Sequence, residues 1–313
     1  MTYRRLLIPL APKQPLGSGF HQALHFANQK KARVTLFAVI EKLAEMQDLS
    51  RYSVSTLNLL DNATNQCERE LKEHIETLSP QYPDIEFDAV VTTGIPYIEI
   101  IKGAEKTGSD LIVIDAHRDH KETACQWGTS TRHLMRESNI PLWTIHPLRE
   151  SRQIKKVVAA IDVTGTDLTE LNEQILQHAF EFASMNQATL YLCHAWRLES
   201  EGYLREWNRC DDLEIAVIAK KLREDRASRL EALMEPYADS KTSVEITMLE
   251  GDAKKILPDY INSHDIDLVI MGTVCRTGIA GFVMGNTAEY MLDKIQCSVI
   301  TLKPEGFKSP VLE

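Results

Sequence analysis

The chain has 313 residues, of which 43% are hydrophobic and 26% charged, with a formal net charge of −10. This length favours two domains over a single core, and the acidic balance argues against general electrostatic binding to nucleic acid or to an anionic membrane. No apolar run approaches the ~18 residues of a membrane span. Because no secretory signal or Cys-x-x-Cys spacing is present, we expect reduced thiols and a cytoplasmic location.

In chain order, the first half alternates predicted strands with predicted helices. The strands are short apolar or alternating runs at residues 6–8, 34–40, 85–91, 111–114 and 142–145. A long polar segment and a helix separate the second strand from the third, and Gly94 precedes the next helix. The fully apolar run at 111–114 is typical of a strand that is covered on both faces.

The second half repeats this order of elements. Its strands are predicted at residues 157–161, 188–193, 244–249, 268–271 and 299–302. Landmark residues of the two halves keep a constant offset of 157 positions: Gly94 and Gly251, Asp110 and Asp267, Gly128 and Gly285. The chain is therefore interpreted as a duplicated domain, with a first domain over residues 1–148 and a second over 149–313.

Alternation of strands and helices predicts a parallel sheet with helices on both faces in each domain. In such sheets, ligands bind beyond the carboxyl ends of the strands. The segment after the strand at 268–271 lies at such an end. There, Gly272-Thr-Val-Cys275 is followed by nine residues, Arg276 to Met284, and then by Gly285-Asn286-Thr287.

This spacing resembles the universal stress protein family, whose nucleotide-binding members carry G-x-x-G, nine residues and G-[ST] after a strand. The resemblance covers nearly the whole chain, twice, and is greatest to the tandem, E-type members. It implies two tandem five-stranded, Rossmann-like α/β domains. Because family members commonly dimerise through the last strand, it also implies an intramolecular pseudo-dimer, either monomeric or as a further homodimer.

The function implied by the resemblance is that of a cytoplasmic stress-response protein that binds ATP, AMP or another small anionic ligand without catalysis. Protein partners are compatible with this function, whereas nucleic acid and a membrane span are not expected. The binding residues implied in the second domain are Asp162, His194, Met271, Gly272, Cys275, Arg276, Gly285, Asn286 and Thr287. Each also has a structural explanation in turn geometry, helix capping, packing or a solvated loop.

Two residues depart from the family motif. Cys275 replaces the second glycine, and its side chain would narrow the approach of a phosphate to backbone amides; a redox thiol is the alternative role. Asn286 replaces the Ser or Thr, and with Glu289 three positions on it predicts an N-cap and capping box. Arg276 is a candidate guanidinium donor to phosphate.

The first domain has diverged further from the motif. By the offset, Asp115 stands in place of Gly272 and Arg118 in place of Cys275. At the end of the first strand, Ala11 stands where the second domain has Asp162. Nucleotide binding is therefore expected in the second domain.

Other features leave alternatives open. The loop with His117, Asp119, His120 and Cys125 contains metal-ligating residue types at loose spacing, so a solvated loop is the default and no metal is assigned. The segment between Trp196 and Trp207 either covers a cavity or is an exposed arm with one anchoring Trp. No catalytic motif is present. The alternatives to nucleotide binding are an apolar or lipid-like ligand, a protein-docking scaffold and, last, a slow ATPase.

Overall fold

The computed structural model describes residues 3–13, 16–41, 59–115, 128–146, 153–165, 169–273 and 284–313. Contacts between residues divide the chain into two units. The first contains residues 1–152 together with 298–313, and the second contains residues 153–297. The sequence-based boundary near residue 148 stays a prediction of where the two repeats meet.

The first unit is a sheet with helices between its strands. Its elements are β1 (Arg5–Leu10), α1 (Ser18–Lys30), β2 (Arg33–Glu41), α2 (Leu59–Leu78), β3 (Glu86–Gly94), α3 (Pro96–Thr107), β4 (Leu111–Asp115), α4 (Thr129–Glu137), β5 (Leu142–Ile145) and β10 (Ser298–Leu302). The strand order is β3-β2-β1-β4-β5-β10. The strands from β3 to β5 pair in parallel, as predicted.

The second unit has the same alternation of strands and helices. Its elements are β6 (Lys156–Ala160), α5 (Thr169–Asn186), β7 (Thr189–Trp196), α6 (Glu201–Glu206), α7 (Asp212–Met234), a 3-10 turn (Glu235–Tyr237), β8 (Val244–Glu250), α8 (Ala253–Ser263), β9 (Leu268–Gly272) and α9 (Asn286–Leu292). The strand order is β9-β6-β7-β8, and the pairs β6–β7, β6–β9 and β7–β8 are parallel. The predicted α/β class with tandem domains is confirmed.

The strand count of each sheet differs from the predicted five. β10, which closes the second sequence repeat, belongs to the first unit and pairs antiparallel with β5, with Ile300 opposite Trp143. Every residue of β10 is buried, so this apolar strand is covered by its neighbours there. The last strands of the two repeats therefore pair with each other, as the family resemblance implied.

The repeated aspartates have the same structural role in both units. The Asp110 carboxylate accepts hydrogen bonds from the backbone N–H groups of Arg4 and Arg5, at 2.7 and 3.1 Å. Asp267 accepts from the N–H groups of Lys155 and Lys156, at 2.9 and 3.0 Å. Each carboxylate thus satisfies donors at the start of the neighbouring central strand, which explains why the sequence repeats it.

Candidate functional site

Three neighbouring strands of the second unit end at the same edge of the sheet. Ala160, the last residue of β6, pairs with Cys193 on β7 and with Met271 on β9. The candidate residues Asp162, His194 and Gly272 each follow one of these paired residues by one or two positions. The strand register therefore brings these three predicted site residues to one edge, and Met271 lies buried beside them.

Asp162 lies in a tight turn after β6. Its Oδ1 accepts hydrogen bonds from the backbone N–H of Thr164, at 2.9 Å, and from the Thr164 hydroxyl. The backbone of Asp162 is held by the buried amide of Asn172 on α5, which donates to its carbonyl at 2.8 Å and accepts from its N–H at 3.3 Å. The turn is thus built and held by the protein itself, as expected for an Asp that closes a loop.

His194 is buried on β7, and its ring nitrogens differ in their partners. Nδ1 lies 3.0 Å from the carbonyl oxygen of Ile161. Because a carbonyl only accepts, Nδ1 carries the proton in the neutral ring and Nε2 is a hydrogen-bond acceptor. Nε2 is buried and has no hydrogen-bond partner among the residues that the structure describes. Burial lowers the pKa of His194, and the nearby Arg226 charge lowers it further, which favours the neutral ring.

Two arginines that the sequence analysis missed reach this edge of the second unit. Arg226 and Arg229, one turn apart on α7, both donate a hydrogen bond to the carbonyl oxygen of Val163, Arg229 at 3.3 Å. Arg229 also contacts the Asp225 carboxylate at 3.1 Å. Burial lowers the pKa of Arg226, and the charge of Arg229 adds to this effect. Positive charge therefore contacts the residue directly after Asp162.

Close packing of β9 against α5 explains the glycine at position 272. A Cβ atom at this position would lie 2.6 Å from Cδ2 of Leu171 on α5. Real Cβ contacts are essentially never this short, so any side chain here would displace Leu171. The close approach of β9 to α5 accounts for Gly272 whether or not a phosphate binds; its binding role stays a prediction.

The predicted cap of the last helix is wrong. The N-cap of α9 is Gly285, and Asn286 is the first helical residue. Gly285 donates its backbone N–H to the Thr273 carbonyl oxygen at 2.9 Å, and its own carbonyl accepts from Glu289 at 3.0 Å. This bond to Thr273 fixes the glycine as the boundary residue. The N-cap is therefore one position earlier than expected, and because glycine has no side chain, the capping box predicted for Asn286 and Glu289 does not form at this N-cap.

Several predicted residues lie outside the part of the chain that the structure describes. Cys275 and Arg276 fall between residues 273 and 284, and the loop with His117, Asp119, His120 and Cys125 falls between residues 115 and 128. Thr287 is half-buried on α9. Within the described residues, no group of three or more His, Cys, Asp or Glu side chains could hold a metal ion. None of the described helices has the length and apolarity needed to cross a membrane.

Comparison with known proteins identifies the family. The model of the universal stress protein family matches residues 2–146 and again residues 153–303. The chain belongs to the universal stress protein family. Universal stress protein E of Photorhabdus laumondii is 24% identical over 99% of this chain and 98% of its own length. The Salmonella typhi protein of the same name is 23% identical over 99% and 97%.

Solved structures support the same assignment of fold. A putative universal stress protein from Pseudomonas aeruginosa superposes with a TM-score of 0.66 at 22% identity, over 97% of this chain and 94% of that one. A universal stress protein from Archaeoglobus fulgidus gives 0.65 at 14% identity, over 97% and 99%. The chain is thus a tandem universal stress protein that resembles the E-type members.

The first universal stress protein unit contains a cavity of about 250 Å³ at the carboxyl ends of its strands. Its walls are mainly apolar, and include Leu10, Phe37, Val39, Ile100 and Ile114. Polar groups line the remainder of the wall: Asp115 and the residues Gly128 to Thr131 at the start of α4. In this repeat an acidic residue occupies the place that Gly272 has in the other, as the sequence comparison indicated.

Proposed function

We propose that the protein acts in stress response, in the cytoplasm, by binding a ligand rather than by catalysis. Membership of the universal stress protein family supports the role in stress response. The proposed ligand is an adenine nucleotide, ATP or AMP, or another small anionic molecule. The proposed site is the edge of the second unit formed by Asp162, His194 and Gly272, extended by Gly285 and Thr287.

The observation that carries this proposal is the convergence of Arg226 and Arg229 on the Val163 carbonyl beside Asp162. Guanidinium groups are strong donors to phosphate oxygens and cannot lose their charge. Asp162 and the Nε2 atom of His194 are acceptors, which suit the amine and hydroxyl donors of a nucleoside. Donors for the phosphates and acceptors for the nucleoside therefore lie along one edge.

Two arginines on α7 offer a matched test. Arg226→Gln removes a charge at the proposed site, whereas Arg223→Gln removes the same charge from an exposed position one turn away. Isothermal titration calorimetry with ATP should show a loss of affinity of at least about tenfold for Arg226→Gln, since a charge-assisted hydrogen bond contributes ~1.5–3 kcal/mol. Arg223→Gln should bind like the wild-type protein.

Thermal unfolding of both variants separates lost binding from lost structure, because Arg226 also donates a hydrogen bond to the backbone. Equal ATP affinity in the two variants would contradict the proposed site. Absence of any heat with ATP, AMP and other small anions in the wild-type protein would contradict ligand binding of this class altogether.

The cavity of the first unit favours a second candidate function, the binding of a small apolar molecule. Its apolar wall suits such a ligand, while the carboxylate of Asp115 disfavours a phosphate. The uncharged dye N-phenyl-1-naphthylamine is a suitable fluorescent probe. Val39→Phe, which fills part of the cavity, should weaken dye binding, whereas Val217→Phe on exposed α7 should not. An equal effect of both changes would exclude this cavity as the dye site.

A further inference from the structure

The segment between β7 and the middle of α7 forms an exposed arm with four large apolar side chains in solvent. Tyr203 on α6 is 72% exposed, and Trp207, the C-cap residue of α6 one turn further on, is 74% exposed. On α7, Leu213 is 74% exposed and Val217 is 47% exposed, again one turn apart. We call these four side chains the arm surface. Large apolar side chains grouped in this way mark interaction sites more often than scattered single residues do.

The arm is anchored in the second unit and its own structure is fixed. Trp196 at the end of β7 and Ile215 on α7 are buried and provide apolar anchors. The sequence alternative of an exposed arm with one anchoring Trp is therefore confirmed: Trp196 is buried and Trp207 is exposed.

Polar contacts hold the two helices of the arm together. The Arg205 guanidinium donates to the carboxylates of Glu201 on α6, at 2.9 Å, and Asp212 on α7, at 2.6 Å. Asp211 and Glu214 form a reciprocal capping box at the start of α7, with hydrogen bonds of 2.8 and 3.1 Å. The arm surface is therefore preformed, so binding of a partner would cost little conformational entropy in the arm.

The segment that carries the arm surface contains more acidic than basic side chains. Residues 199–217 contain six carboxylates and two guanidinium groups. The guanidinium of Arg205 is already paired with two of these carboxylates. Excess negative charge therefore lies in the part of the arm that carries Tyr203, Trp207 and Leu213, whereas Lys220 and Lys221 follow Val217 one turn further along α7. The acidic part of the arm attracts a cationic partner and repels an anionic one.

We propose that the arm surface is a docking site for a basic, amphipathic segment of another protein. The apolar face of that segment would cover Trp207 and its neighbours, and its lysines or arginines would lie against the surrounding carboxylates. Trp and Tyr are the residues most often found to dominate binding energy at such interfaces. This proposal is independent of the ligand sites, because Tyr203, Trp207, Leu213 and Val217 have no part in them.

Charge decides between this partner and two others. A second copy of the chain carries a net charge of −10 and would place like charges opposite each other. An anionic membrane surface would likewise be repelled by the carboxylates, although exposed Trp and Tyr are suited to an interface with lipid. A basic protein segment is the occupant that satisfies both the apolar and the acidic character of the arm.

The test uses the full-length protein and two synthetic 18-residue amphipathic peptides with the same leucine face, one with lysines and one with glutamates on the polar face. Fluorescence anisotropy of labelled peptide gives the dissociation constants. The lysine peptide should bind, and more weakly as salt rises, while the glutamate peptide should not. Trp207→Ala should weaken binding by about tenfold or more, as is typical of an aromatic hot spot.

Matched controls separate peptide binding at the arm surface from nonspecific electrostatic and hydrophobic binding. Ile95→Ala removes a 53% exposed apolar side chain from the first unit and should leave peptide affinity unchanged. Glu206→Gln on the arm should weaken binding, whereas Glu231→Gln at the far end of α7 should not. Equal effects of Trp207→Ala and Ile95→Ala on peptide affinity would overturn the proposal, as would equal effects of Glu206→Gln and Glu231→Gln. The proposal would also be overturned if the wild-type protein self-associated or bound anionic vesicles and Trp207→Ala abolished that interaction. ATP affinity should be the same in Trp207→Ala as in the wild-type protein.

Discussion

At the scale of single residues, the second unit uses several side chains in structural roles that overlap with the proposed binding roles. Asp162 closes a turn, Asn172 holds that turn on α5, and Gly272 allows β9 to approach α5. These roles do not require a ligand. Two groups indicate a ligand-binding role: Arg226, and the buried Nε2 atom of His194, which has no hydrogen-bond partner within the described part of the chain.

Substitution of Gly272 tests the packing explanation. Gly272→Ala should lower the free energy of unfolding by about 1–3 kcal/mol, because the new Cβ must displace Leu171. The matched control is Gly202→Ala on α6, where a Cβ meets nothing within 4 Å and helix propensity favours Ala. Urea unfolding measures both. A Gly272→Ala protein as stable as the wild type would show that Leu171 yields without cost.

At the scale of secondary-structure elements, much of the fold was predictable because its signals are local. Fully apolar runs predicted the buried strands β4 and β9, and the offset of the repeated aspartates reflected a real, repeated hydrogen-bonding role. The site was less predictable. Arg226 and Arg229 reach Val163 across more than 60 positions of sequence, and no spacing rule places a long helix over a particular strand end.

The boundary of α9 illustrates the same limit. Asn286 is a good N-cap residue, but the hydrogen bond between Gly285 and Thr273 moves the boundary back by one residue. The place of β10 could not be read from its composition either. An apolar strand indicates burial, whereas its partner β5 follows only from the family resemblance.

The pairing of β10 with β5 predicts which strands a substitution in β10 destabilises. Ile300 is fully buried opposite Trp143, and Ile300→Ala should cost about 2–5 kcal/mol. Hydrogen exchange should accelerate in β5 and β4 of the first unit, although Ile300 lies in the second sequence repeat. The comparison is Ile246→Ala on β8, 43% exposed, with a much smaller effect. Acceleration confined to β6 and β7 would contradict the assignment of β10 to the first unit.

At the scale of the whole molecule, buried bases make stability depend on pH. Burial lowers the pKa of His178 to about 4 and that of Lys303 to about 7. The Lys303 ammonium still has partners, the Met135 carbonyl at 2.8 Å and the Phe307 ring. In both cases the unfolded chain binds its proton at a higher pH than the folded chain does. Protonation therefore favours unfolding in the interval between the two pKa values.

For His178 this interval runs from 6.5 down to about 4. The destabilising effect of His178 protonation should be absent above pH 6.5 and should reach up to about 3 kcal/mol as the pH is lowered to 4. His178→Gln should flatten this part of the pH profile, whatever its effect on absolute stability. His264→Gln, at an exposed position, should leave the profile as in the wild type. Urea unfolding at several pH values measures the slopes, and equal slopes in all three proteins would contradict the prediction.

In the proposed function, the second repeat of this tandem universal stress protein binds an adenine nucleotide or a similar anion at the edge with Asp162, His194 and Arg226. The most direct measurement is a crystal structure of the protein grown with a non-hydrolysable ATP analogue. We expect electron density for the analogue in the second unit, with a phosphate in contact with Arg226. Density confined to the cavity of the first unit would contradict the proposed function.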